Sequence, residues 1–86
     1  MNIVVLNGNE MTNKKQLHKY IAAKLDLPDY YGNNLDALAD CLSEIDPDIV
    51  IVICDKESML KQLGEYGETL LQVFQENLDK SQLIIC

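Results

Sequence analysis

Apolar residues fall into two kinds of run along this chain. Short β-branched runs occupy Asn2–Asn7 (NIVVLN), Ile49–Cys54 (IVIVIC) and Gln82–Cys86 (QLIIC). They are too short for helices and bounded by turn residues such as Gly8-Asn9 and Pro47, so they predict three strands. Between them, apolar positions recur every three or four residues. Leu17, Ile21, Ala22 and Leu25 predict a helix over Lys14–Leu25, with Asn13 and Gln16 spaced as a capping box and Pro28 ending the pattern. Leu35, Leu38, Leu42 and Ile45 predict a second helix over Leu35–Ser43, capped by Asn33 or Asn34. Met59, Leu60 and Leu63 predict a short third helix, capped by Asp55 and stopped by Gly64. Leu70, Leu71, Phe74 and Leu78 predict a fourth, over about Glu68–Asp79.

The order β-α-α-β-α-α-β puts a long helical connection between successive strands. Such crossovers produce parallel neighbours and are right-handed. The expected fold is α/β: one domain over residues 1–86, with a small three-stranded parallel sheet and about four helices packed on it. Ile49–Cys54 is apolar at every position, which predicts a central strand covered on both faces.

Composition narrows the setting. With 86 residues and 48% hydrophobic content, the chain can build one compact core and is not of the disordered class. No run approaches the ~20 apolar residues of a membrane span. MNIVVLNG lacks the basic leader and cleavage site of a signal peptide. The expectation is a soluble, cytoplasmic protein. Cys41, Cys54 and Cys86 cannot all pair within one chain, and their spacing matches no zinc pattern. They read as reduced thiols, with Cys41 and Cys54 helping to fill the core.

Charge changes the picture most. The net charge is -7, from 14 acids against 7 lysines, with no arginine. Between Leu25 and Asp55 stand Asp26, Asp29, Asp36, Asp40, Glu44, Asp46, Asp48 and Asp55, without one Lys, Arg or His. Nucleic acid and anionic membrane surfaces demand the opposite sign, so neither is expected as a direct partner. A basic protein surface fits. Asp36 and Asp40 sit four residues apart on one helix face, a like-charge spacing that costs an isolated helix roughly 0.2–0.5 kcal/mol. Such a local choice against stability marks a candidate functional face, although a merely solvated face accounts for Asp36, Asp40 and Glu44 as well.

Other chemistry finds little support. Paired carboxylates serve hydrolases, but no nucleophile–base pair, phosphate loop or cofactor fingerprint accompanies them. His18 lies in a helical pattern beside lysines and reads as a solvated residue. Asp46-Pro47-Asp48 lacks the glycine and terminal glutamate of a calcium loop. No catalytic residue, metal or cofactor is expected. Tyr30 and Tyr31 either lid the core, with Gly32 supplying a positive φ, or serve a recognition surface beside the acidic helix.

The stretch LPDYYGNNLDALADCL, Leu27–Leu42, resembles the contact loop and second helix of the barstar family, inhibitors of barnase-type ribonucleases. LLQVFQE, Leu70–Glu76, is similar to that family's last helix. The resemblance covers essentially the whole chain. It implies an intracellular inhibitor that plugs the active site of a basic, extracellular-type ribonuclease in a 1:1 complex. By motif position, Asp40 would stand in for substrate phosphate, Asp36 would pair with another basic group, and Tyr30 would pack on the catalytic histidine. Gly32 and Asn34 would lie in the contact loop, and Glu76 would add a peripheral charge. Ala39 stands where the family usually carries a tryptophan, and this chain has none. That departure opens a second reading, an immunity protein of the same fold against a different nuclease or toxin. A small hydrolase using Asp36 and Asp40, and a scaffold kept soluble by its acidity, are the remaining alternatives.

Overall fold

A computed structural model describes residues 2–86. The chain runs β1 (Asn2–Asn7), α1 (Lys14–Leu25), α2 (Leu35–Ser43), β2 (Ile49–Cys54), α3 (Lys56–Leu63), α4 (Glu65–Asn77) and β3 (Leu83–Ile85). The strands form one parallel sheet in the order β1-β2-β3, so β2 is central as its composition predicts. The α/β reading and the four helices hold.

The sheet is covered on one face only, against the expectation of two. Leu6, Ile51 and Ile53 are fully buried on the inner face, with Val4, Leu83 and Ile85 packed beside them. On the outer face Ile3, Val5 and Ile84 are exposed, and Val50 and Val52 are half-buried. The physical reason is the strand order. Two successive right-handed crossovers that step the same way across a sheet must place both helical connections on one side. The apolar outer positions of β2 are shielded by flanking strands rather than by helices.

Over the inner face lie Leu17 and Ile21 from α1, Leu38 and Leu42 from α2, Met59 from α3, and Leu70 and Phe74 from α4. Burying each such side chain is worth about 1.5–3 kcal/mol.

Several boundaries differ from the periodicity. Helix α4 begins at Glu65, with only Gly64 between it and the end of α3. Gly64 makes this possible with φ 57° and ψ −131°, a backbone state closed to most residues. Gly67, inside α4, is buried where an added Cβ would press on Leu60 and Leu63. β3 begins at Leu83 because Gln82 belongs to a 3-10 turn, Lys80–Gln82. Its buried amide donates to the carbonyls of Asp46 and Ile49, both at 3.2 Å. Asp55 precedes α3 but does not cap it with its side chain. Its carboxylate instead accepts from Asn9 Nδ2 at 3.0 Å, tying the turn after β1 to the end of β2. Gly8 in that turn lies so close to the Asp55 carbonyl that a Cβ would collide with it.

Cys41 packs against the core as expected. Cys54 does not. It is half-buried at the end of β2, on the outer face.

A candidate protein-binding face

Helix α1 ends on Asp26 in the left-handed conformation (φ 53°). The loop that follows is built on buried Tyr31, whose N–H donates to the Pro28 carbonyl at 2.9 Å. Its hydroxyl lies 2.6 Å from His18 Nδ1, and the other ring nitrogen, Nε2, lies 2.6 Å from the Tyr66 hydroxyl of α4. His18 is only 2% exposed, so it is a core residue and not a solvated one. The sequence held the signal: His18, Ala22 and Leu25 fall at i, i+4 and i+7, on the same apolar stripe as Ile21. Burial pushes the His18 pKa down and those of Tyr31 and Tyr66 up, because each then disfavours its charged form. The Lys14 ammonium sits over the Tyr66 ring, 4.6 Å from its centroid.

With Tyr31 turned inward, its neighbour Tyr30 is turned outward and is 88% exposed. One tyrosine anchors the loop and the other is displayed. The left-handed residue here is Asn33 (φ 54°), whereas Gly32 has no positive φ. Asparagine tolerates that conformation better than most residues. Asn34, not Asn33, caps α2, since its Oδ1 accepts from the Ala37 N–H at 2.8 Å. Its Nδ2 also donates to the Gly32 carbonyl at 3.2 Å, so one side chain fixes loop and helix together.

Leu38 and Leu42 point α2 into the core, which leaves Asp36 and Asp40 exposed on the opposite face. Glu44, the residue after the helix, is exposed too, while Ala39 is half-buried at the margin. Among the described residues, neither Asp36 nor Asp40 has an ion-pair or side-chain hydrogen-bond partner. The acidic field is felt locally: after burial, Glu44 and then Asp40 push the Cys41 thiol up. Helix α4 packs on α2. Its exposed Glu76 shares a groove with Leu42 and Ser43 and accepts from Gln72 at 2.9 Å. Tyr30, Gly32, Asn34, Asp36, Asp40 and Glu44 therefore belong to one loop–helix unit, with Glu76 beside the C-terminal end of α2.

Sequence reasoning missed His18 and Tyr66 as support beneath this face and left open whether Tyr31 lids the core, which it does. Among the described residues no group of three His, Cys, Asp or Glu side chains is placed to hold a metal ion. No described helix is long and apolar enough to cross a membrane.

Comparison with known proteins agrees with the motif. The family described as Barstar (barnase inhibitor) matches residues 1–82. A protein of Bacillus subtilis (strain 168) named "Putative ribonuclease inhibitor YrdF" is 40% identical over 77 residues, covering 88% of this chain and 85% of that protein. With a buried Tyr31 behind an acidic α2, and a family match over nearly its whole length, the chain belongs to the barstar family.

Proposed function

We propose that this protein is an inhibitor of a barnase-type ribonuclease, and that it acts by occlusion rather than by catalysis. Family membership and the name of the Bacillus subtilis relative support the inhibitory role. The observation that carries the finer reading is the exposed, unpartnered pair Asp36 and Asp40 on a helix held rigid from behind.

A ribonuclease binds RNA phosphates in a basic cleft. A carboxylate on a preformed helix offers such a cleft the same charge with no bond to cleave. In this reading Asp40 occupies the phosphate position, Asp36 meets a second basic group, and Tyr30 lays its ring on the catalytic histidine. Gly32 and Asn34 keep the loop close to the enzyme surface, and Glu44 and Glu76 extend the negative field at the rim. Such a field steers encounter as well as fixing register. Because Tyr31 and Asn34 already order the loop, little conformational entropy is lost on binding.

The complex is 1:1, the target is a basic secreted-type enzyme, and the inhibitor resides in the cytoplasm, where it protects the producing cell. Neither cofactor nor nucleic acid takes part. One observation favours a second reading. Ala39 replaces an interface tryptophan of the family with a methyl group, which fits an immunity protein whose target is a different nuclease or toxin.

Titration into RNA cleavage by a barnase-type ribonuclease tests the proposal. Activity should fall linearly to zero at one equivalent. Full activity at large excess would contradict the barnase-type target.

A further inference from the structure

Cys54, the last residue of β2, and Cys86, one position beyond β3, lie side by side. The register pairs Val52 with Ile84 and Ile53 with Ile85, so the next step brings Cys54 opposite Cys86. The pairing continues there. The Cys86 N–H donates to the Ile53 carbonyl at 2.9 Å, and the Cys86 carbonyl accepts from the Lys56 N–H at 3.1 Å. Side chains alternate along a strand, which puts Cys54 on the side of Val50 and Val52, and Cys86 stands opposite it at the same end of the sheet, beside the start of α3. Both are free thiols, and Cys86 stands near enough to help push the Cys54 thiol pKa up. Neighbouring strands run about 4.7–4.9 Å apart, within the roughly 4.4–6.8 Å Cα separation that a disulfide spans.

Access differs between the two. Cys86 is exposed and lines a groove of about 910 Å³ together with Lys56 and Lys61, so a small anionic disulfide can reach its sulfur. Cys54 is half-buried, and burial first, then the neighbouring Cys86 and the Asp55 carboxylate, push its thiol pKa up. Cys86 therefore reacts first.

We infer that Cys54 and Cys86 form a reversible dithiol–disulfide site, oxidised by a low-molecular-weight disulfide of the glutathione class. The Cys86 thiolate attacks one sulfur of the oxidant, forming a mixed disulfide and expelling one thiolate. Cys54 gives up its proton to solvent and attacks the Cys86 sulfur, expelling the second. One sulfur–sulfur bond breaks in the oxidant and one forms in the protein. Two electrons pass to the oxidant, and its two thiolates take up the two protons the cysteines released. Excess thiol reverses the exchange. The link staples edge strand β3 to the central strand through residues that belong to neither α2 nor the loop before it, so it strengthens the fold without touching the inhibitory surface.

The reduced protein is treated with oxidised glutathione across a range of ratios, then its remaining thiols are capped with iodoacetamide. Cleavage after lysine and glutamate separates the three cysteines into different peptides for mass spectrometry. The expected product has lost two hydrogens, joins the Cys54 and Cys86 peptides, and carries the cap on Cys41. Its urea midpoint is raised, and its inhibition of ribonuclease, where present in the reduced form, is unchanged. C54V should stop at a glutathione adduct on Cys86. A link that includes Cys41, a persistent adduct on Cys86 beside a capped Cys54, or no oxidation at any ratio would overturn the inference. None of these outcomes depends on whether the target is a ribonuclease.

Discussion

The imidazole Nδ1 of His18 lies 2.6 Å from the Tyr31 hydroxyl, and that contact joins α1 to the loop that displays Tyr30. A neutral imidazole has one donor and one acceptor nitrogen, so Tyr31 and Tyr66 play opposite hydrogen-bonding roles toward it. Tyr31→Phe leaves a buried ring nitrogen without its partner and should cost about 1–3 kcal/mol in urea unfolding. It should also speed dissociation from a target ribonuclease, because the loop loses its tether. Tyr66→Phe should cost less, since Tyr66 is half-buried and water can replace its hydroxyl.

Stability should fall on both sides of neutrality. Burial lowers the His18 pKa in the folded protein below its ordinary 6.5. As pH drops below 6.5, the unfolded chain takes up a proton that the folded chain refuses, so the folded state loses ground until pH passes the lowered value. Tyr31 acts in the opposite sense. Its phenol is pushed above its ordinary 10.0, so in more alkaline solution the unfolded chain ionises first and stability falls again. Urea midpoints measured across pH should show both limbs. H18Q should flatten the acid limb just below 6.5, before the carboxylates begin to titrate.

The two faces of the sheet should respond unequally to substitution. Ile53→Ala opens a cavity in a fully buried position and should cost about 2–5 kcal/mol. Val5→Thr on the outer face should change stability by no more than about 0.5 kcal/mol. Equal losses in urea unfolding would mean that the outer face is covered after all.

Much of this fold is legible from period and punctuation alone. β1, α1, α2 and β2 follow their apolar patterns residue for residue, because each is ended by a cap, a proline or a turn. The covering of β2 is not legible from β2, since Val50 and Val52 carry the same residue types as a buried strand. Strand order decides it. The start of α4 is hidden by Gly67, whose missing side chain serves close packing instead of a turn. On the candidate face, the exposure of Asp36 and Asp40 is legible from helical spacing and charge, whereas which of Tyr30 and Tyr31 turns outward is not. The pairing of His18 with Tyr31 and Tyr66 is a contact between three separate elements, and His18 itself stands beside Lys19, which suggests solvent.

Ala39 offers a test of target shape. If the partner is barnase-like, Ala39→Trp should add apolar contact and slow dissociation, at roughly 25 cal/mol for each Å² buried. If the partner's surface has been reshaped around alanine, the indole should clash and hasten dissociation. Dissociation rates of the two variants from a barnase-type enzyme distinguish these outcomes. An unchanged rate would place Ala39 outside the interface.

The central claim is that Asp40 exists for a partner and not for the fold. Asp40→Ala removes one of two like charges on α2, and should leave stability unchanged or raise it by up to roughly 0.5 kcal/mol. The same substitution should weaken ribonuclease inhibition by well over about tenfold, because a basic phosphate site would be covered without its counter-charge. Urea unfolding and an inhibition titration on this one variant give both numbers. A stable protein that no longer inhibits is the predicted result. A variant that unfolds, with inhibition lost only in proportion to the folded fraction, would make Asp40 a structural residue and contradict the account.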